Sequence, residues 1–137
     1  ADVLRVMLSG RRPTQAFVFI SHELDVVRYV SDRVLVMFRG TIVEELPAAR
    51  LDPARAGVTH PYTERLLSTA LGGARPVIRP LGDPIAGAAC RYLGACHLVD
   101  PSSAEATGCR SEPPRLRAHG ADHRLACHLR PPPAGEI

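Results

Sequence analysis

Apolar positions in the first third of the chain fall into short blocks whose spacing changes from block to block. Val3, Leu4, Val6, Met7 and Leu8 give a helical pattern with Gly10 as its stop. Arg11-Arg12-Pro13-Thr14 then turns the chain into a strand predicted over residues 16–20. Within it, Phe17-Val18-Phe19-Ile20 is an unbroken apolar run, two aromatic and two β-branched, which predicts burial on both faces as in a parallel sheet. The run stops at Ser21-His22-Glu23, and Leu24, Val27 and Val30 follow at helical spacing. Glu23 and Asp25 stand in the first turn, where the helix dipole favours acids. Ser31-Asp32 breaks that helix. Residues 33–38 and 41–44 then read as two strands of a hairpin joined by Arg39-Gly40.

Periodicity fades afterwards. Residues 46–58 are rich in Pro, Ala and Arg and read as a connection with one helical turn around 48–51. Thr59-His60-Pro61-Tyr62-Thr63 opens a second helix, with Thr59 or His60 as cap and Pro61 in the first turn. Tyr62, Leu66 and Ala70 share one face of it, with Leu67 and Leu71 beside them. Between 72 and 84 glycine and proline recur without period, which predicts an extended linker. The predicted fold class is α/β, in three regions: 1–46, a connecting segment and helix over 47–71, and an irregular Cys-containing extension over 72–137.

Composition sharpens this in two places. The chain has 137 residues, enough for one modest domain or a piece of a larger one, and most of its 13 prolines lie beyond Pro47. A net charge of +3 makes no case for nucleic acid or a membrane surface as partner. All 17 basic residues other than histidine are Arg, so the chain contains no P-loop lysine to reach the β- and γ-phosphates of a nucleotide. It holds neither a signal peptide nor an apolar run of membrane-span length. It starts at Ala1 inside a predicted helix without an initiating Met, which leads us to expect a piece of a larger protein.

His22 is the first candidate for chemistry. In open α/β sheets ligands sit beyond the carboxyl ends of strands, and a histidine there is placed to meet a phosphate. The plainer alternative is a helix cap or a loop histidine. Strand, Ser21-His22-Glu23-Leu24 and the following strand together resemble the switch-histidine region of ABC-transporter ATPases, most closely the subunits that energise oligopeptide and dipeptide uptake. The run Asp32-Arg33-Val34-Leu35-Val36-Met37-Phe38-Arg39-Gly40-Thr41-Ile42-Val43-Glu44 is similar to the family's Asp-Arg-Val-x-Val-Met-x-x-Gly-x-Ile-Val-Glu. His60-Pro61-Tyr62-Thr63 followed by Leu66-Leu67 is a narrower hallmark of the peptide branch. His60 itself reads as structural.

The resemblance implies a partial nucleotide-binding domain built from the C-terminal strands and helices of a P-loop NTPase core. His22 would be its catalytic and cofactor-binding residue, contacting the γ-phosphate and helping to hold the attacking water. ATP and Mg would be cofactors of the full-length protein. Without a Walker A loop, signature motif, or Walker B Asp and catalytic Glu, this chain alone is expected not to hydrolyse ATP. Implied partners are membrane-spanning permease subunits and a second ATPase subunit, and the implied location is cytoplasmic, at the inner face of the membrane.

Cys90, Cys96, Cys109 and Cys127 are the second candidate site. Four thiolates suit a tetrahedral zinc or a four-iron cluster, but C-x5-C-x12-C-x17-C is not a Cys-x-x-Cys pattern, so metal binding and free thiols both stand. His97, His119, His123 and His128 are possible competing ligands, most simply read as solvent-exposed. The segment resembles the C-terminal extension of peptide-importer ATPases through Cys90-Arg91-Tyr92, Cys96, Cys109, Pro114-Arg115-Leu116 and His123-Arg124-Leu125-Ala126-Cys127-His128-Leu129. In some members these cysteines hold an iron–sulfur cluster. Ala89, Ala95 and His97 depart from the family pattern. Two alternatives of other classes remain: a small non-enzymatic metal-binding module, and an unstable remnant of a disrupted transporter gene whose stripped sheet would aggregate.

Overall fold

The computed structural model describes residues 6, 9, 10, 12, 14–52, 54, 57–70 and 79–133. The first predicted helix and the linker after residue 70 lie mostly outside these, as does Leu71. Helix α1 (Leu24–Val30) forms where the 3.6-residue pattern places it. The Glu23 N–H donates to Ser21 Oγ just ahead of it (3.0 Å), and the Ser31 N–H closes it on Val27 O (3.1 Å). Val27 is its one buried residue, and it packs on a 3-10 turn at Ala48–Arg50, the helical turn expected there.

Strands β1 (Arg33–Phe38) and β2 (Thr41–Pro47) make the expected hairpin, with β2 three residues longer than its pattern suggests. Arg39 and Gly40 both have positive φ (47° and 77°), as a two-residue turn matched to strand twist requires. The register slips between Val36 and Met37: Val36 faces Glu44 while Met37 faces Ile42. This bulge breaks the alternation of β2, so that Val43 and Glu44 are buried in succession. The carboxylate is thereby placed inside the protein.

Helix α2 (Pro61–Ala70) also stands where expected, but its buried positions are Pro61, Thr63, Leu67 and Ser68. Tyr62 and Leu66 are only half-buried and Ala70 is exposed, so the helix is turned from the face that Tyr62, Leu66 and Ala70 predicted. Polar partners allow this rotation: the Thr63 hydroxyl donates to Glu44 Oε2, and the Ser68 hydroxyl to Arg65 O (2.9 Å).

The last third is less irregular than predicted. It contributes 3-10 turns at Leu93–Ala95 and Ala104–Ala106, a short helix α3 (Thr107–Ser111), and strands β3 (Arg117–Ala118) and β4 (Arg124–Leu125). β4 pairs with β2 and completes an antiparallel sheet of order β1-β2-β4-β3. One core runs from Val27, Val36, Phe38 and Leu46 through Leu67 to Tyr92, Leu93, Val99 and Cys109. The described fold is therefore mixed α and β with an antiparallel sheet.

The strand predicted over 16–20 does not form. Val18 and Ile20 are each 92% exposed, and Phe17 and Phe19 are also exposed. A strand buried on both faces needs neighbours on both edges, and none of the described strands pairs with this segment.

Candidate functional site

His22 lies in the bend between the exposed apolar segment and α1, with its side chain open to solvent. The structure places it at the surface.

The four cysteines are drawn together by the turns of the last third. The Cys90 N–H donates to Cys109 O (2.8 Å) and the Ala89 N–H to Arg110 O (3.0 Å), which fixes the first cysteine beside α3. Burial raises the Cys109 thiol to about 11, reinforced by the charges that Cys90, Cys127 and Cys96 would carry. Burial likewise raises Cys127 to about 11, with Cys96 and Cys90 adding to it. Cys90 and Cys96 are shifted up too, again chiefly by burial. As free thiols these groups are protonated and poorly nucleophilic.

Three of them share a local geometry. Backbone N–H groups two and three residues on point at each sulfur: Tyr92 and Leu93 at Cys90, Leu98 and Val99 at Cys96, Leu129 and Arg130 at Cys127. Such donors favour the thiolate. All four cysteines are free, and among the described residues no three His, Cys, Asp or Glu side chains converge as a metal centre.

The histidines are committed elsewhere, and none of the four is exposed. His97 Nε2 meets Glu64 Oε2 (2.9 Å), His119 Nε2 meets Pro131 O (2.9 Å), and His128 Nε2 meets Glu112 O (2.8 Å). The expectation of solvent-exposed rings fails because a segment poor in apolar residues uses them to satisfy carbonyls and carboxylates.

His123, 1% exposed, belongs to a buried cluster around Glu44, which sequence reasoning did not single out. Glu44 is fully buried. Its Oε2 accepts the His60 N–H (3.0 Å) and the Thr63 hydroxyl, and its Oε1 meets His123 Nε2 (2.7 Å). His60 is the cap of α2, its Nδ1 accepting the Tyr62 N–H (3.1 Å). Burial, with Arg130 nearby, lowers His60 to about 3, so its ring is neutral. On the outer side of His123, Arg50 Nη1 lies 3.3 Å from Nδ1 and Arg50 Nη2 lies 3.6 Å from Asp122. The one-residue slip in the hairpin was the missing signal. Nothing in the spacing of Val43-Glu44-Glu45-Leu46 reveals which acid turns inward.

Among the described residues no helix is long and apolar enough to cross a membrane. No protein-family model matches the chain. Curated relatives do. A probable peptide ABC transporter ATP-binding protein of Sinorhizobium fredii is 33% identical over 98% of this chain and 38% of its own length. A di/tripeptide transport ATP-binding protein of Pseudomonas aeruginosa is 40% identical over 93% of this chain and 39% of its own. An oligopeptide transport ATP-binding protein of Bacillus subtilis is 31% identical over 82% of this chain and 35% of its own. The chain thus spans a little over a third of the length of such relatives. With identities of this size running across both the hairpin and the cysteine segment, the chain belongs to the family of peptide-transport ABC ATP-binding proteins.

Proposed function

We propose that the chain serves as the C-terminal part of the ATP-binding subunit of a peptide-importing ABC transporter, with His22 as its contact to the γ-phosphate. The observation that carries this reading is the homology of nearly the whole chain to peptide-transport ATP-binding proteins. The exposed position of His22 at the end of the apolar segment agrees with it. Because the chain has no lysine, the phosphate cradle and the Mg site belong to sequence outside it, and the chain alone does not hydrolyse ATP. The partners are the permease subunits and a second ATPase subunit, at the cytoplasmic face of the membrane.

The test is uptake of a labelled peptide by host cells carrying His22→Ala at the native locus. Uptake at background is expected, and wild-type uptake would overturn the reading. On an immunoblot against residues 90–129, a native band well above 14.8 kDa is expected. ATP hydrolysis by the purified chain that His22→Ala abolishes would also defeat the proposal.

A second reading concerns the cysteines. The i+2 and i+3 N–H groups aimed at three sulfurs favour a thiolate-held soft cation, as an iron–sulfur cluster or zinc on Cys90, Cys96, Cys109 and Cys127. Their donor chemistry fits such a group, although the sulfurs must converge further to hold it. Elemental analysis of the protein purified without oxygen tests this. Iron with sulfide, or one zinc, per chain is expected; protein free of both and unable to take them up rules it out.

A further inference from the structure

We propose that Glu44, His123 and Arg50 form a latch with a fixed order of protons, and that this latch holds the cysteine segment closed on the hairpin. The latch follows from hydrogen-bond capacity and is independent of the transporter reading. A guanidinium has donors and no acceptor. Arg50 Nη1, 3.3 Å from His123 Nδ1, therefore requires Nδ1 to accept. The ring then carries its proton on Nε2, which donates to Glu44 Oε1 at 2.7 Å. Glu44 must accept at both oxygens, since His60 N–H and the Thr63 hydroxyl occupy Oε2.

Each member of the latch comes from a different part of the fold. Glu44 lies on β2, Arg50 ends the 3-10 turn under α1, His60 and Thr63 open α2, and His123 stands just ahead of β4. His123 is four residues from Cys127. Beyond the two rungs of the β2–β4 ladder and the Ala126 N–H to Val43 O bond (2.9 Å), this cluster is, among the described residues, the buried polar tie between hairpin and cysteine segment. His119, whose ring centroid is 5.6 Å from that of His123, takes the His123 carbonyl on its own N–H (2.8 Å) and shares no proton with the latch.

This order makes a prediction that bulk or packing does not. Glu44→Gln keeps the shape but adds an N–H₂. Whichever way the amide is turned, a donor faces a donor: the His123 Nε2–H on one side or the His60 N–H on the other. His123 cannot relieve the conflict by moving its proton to Nδ1 while Arg50 stands there. Arg50→Met removes that block, so the two substitutions together are milder than Glu44→Gln alone.

The experiment is the rate of iodoacetamide alkylation of the buried thiols Cys96 and Cys109, followed by mass spectrometry on the chelated, reduced chain. Glu44→Gln is expected to speed labelling about ten- to a hundredfold, the range for one unsatisfied buried group opening a closed segment. Arg50→Met is expected to change it less than about fivefold, and the double variant to stay within about fivefold of Arg50→Met. Wild-type rates in Glu44→Gln, or a double variant whose effect is the product of the single ones, would overturn the latch. If Glu44→Gln unfolds the chain, both thiols label at the denatured rate, and recovery of protection on adding Arg50→Met decides the matter in the same way.

Discussion

Tyr92→Ala is the sharpest test of whether hairpin, α2 and cysteine segment share one core. The ring is 3% exposed and meets Phe38 edge-on at 5.1 Å, His60 at 5.5 Å and Tyr62 at 5.6 Å. Burial drives its hydroxyl up to about 12, opposed by the positive charge of Arg65. A buried aromatic side chain removes roughly 150–200 Å² from water, or about 4–5 kcal/mol at about 25 cal/mol per Å². Truncations of this kind cost about 3–5 kcal/mol. Set against a typical domain stability of about 5–15 kcal/mol, that is about a fifth or more of the total. We predict that Tyr92→Ala lowers the urea midpoint accordingly and that far-UV circular dichroism and thiol exposure still change together. Tyr92→Phe keeps the ring and loses only the hydroxyl, so it should cost no more than about 0.5–1.5 kcal/mol. A loss below about 1 kcal/mol in Tyr92→Ala, or thiols that open while the sheet signal persists, would refute a shared core.

Three further outcomes follow from the structure. Because Cys109 and Cys127 titrate near 11 when folded against an ordinary 9.0, the unfolded chain loses these protons first; stability should fall as pH rises from about 9 towards 11, and an unchanged or higher urea midpoint at pH 10.5 than at pH 8 would contradict this. Val18→Ser with Ile20→Ser should leave the stability of this chain within about 0.5 kcal/mol while reducing light scattering at high concentration; a larger loss would mean the segment is packed after all. Gly40→Ala, at φ 77°, should cost about 1–2 kcal/mol by thermal melting, and a neutral result would remove the left-handed turn from the argument.

Local pattern was enough for the elements closed by neighbours in sequence. Arg39-Gly40 between two β-rich runs specified the hairpin, Leu24, Val27 and Val30 gave α1, and His60-Pro61 marked the start of α2. Elements closed by distant partners were not legible. Phe17–Ile20 states a demand for burial, but hydrophobicity cannot say whether a neighbouring strand is there to meet it. β3 and β4 are two residues each, too short to leave a period. Glu44 was hidden by the bulge, since a strict alternation does not tell it from Glu45, which remains half-exposed between Arg33 and Arg124. The cysteines were visible as a set. Their N–H···S turns were not, because they depend on backbone direction after each sulfur.

The antiparallel rung between Glu44 and Leu125 has a consequence in time. Glu44 and His123 are 79 residues apart, and at synthesis rates of about 5–20 residues per second the ribosome needs roughly 4 to 16 s to make the intervening chain. Throughout that interval β2 is an open sheet edge carrying the acid pair Glu44-Glu45. Charges on an unpaired edge discourage intermolecular pairing. The carboxylate that later organises the finished core thus guards the nascent hairpin first, and its burial is completed when His123 and β4 arrive.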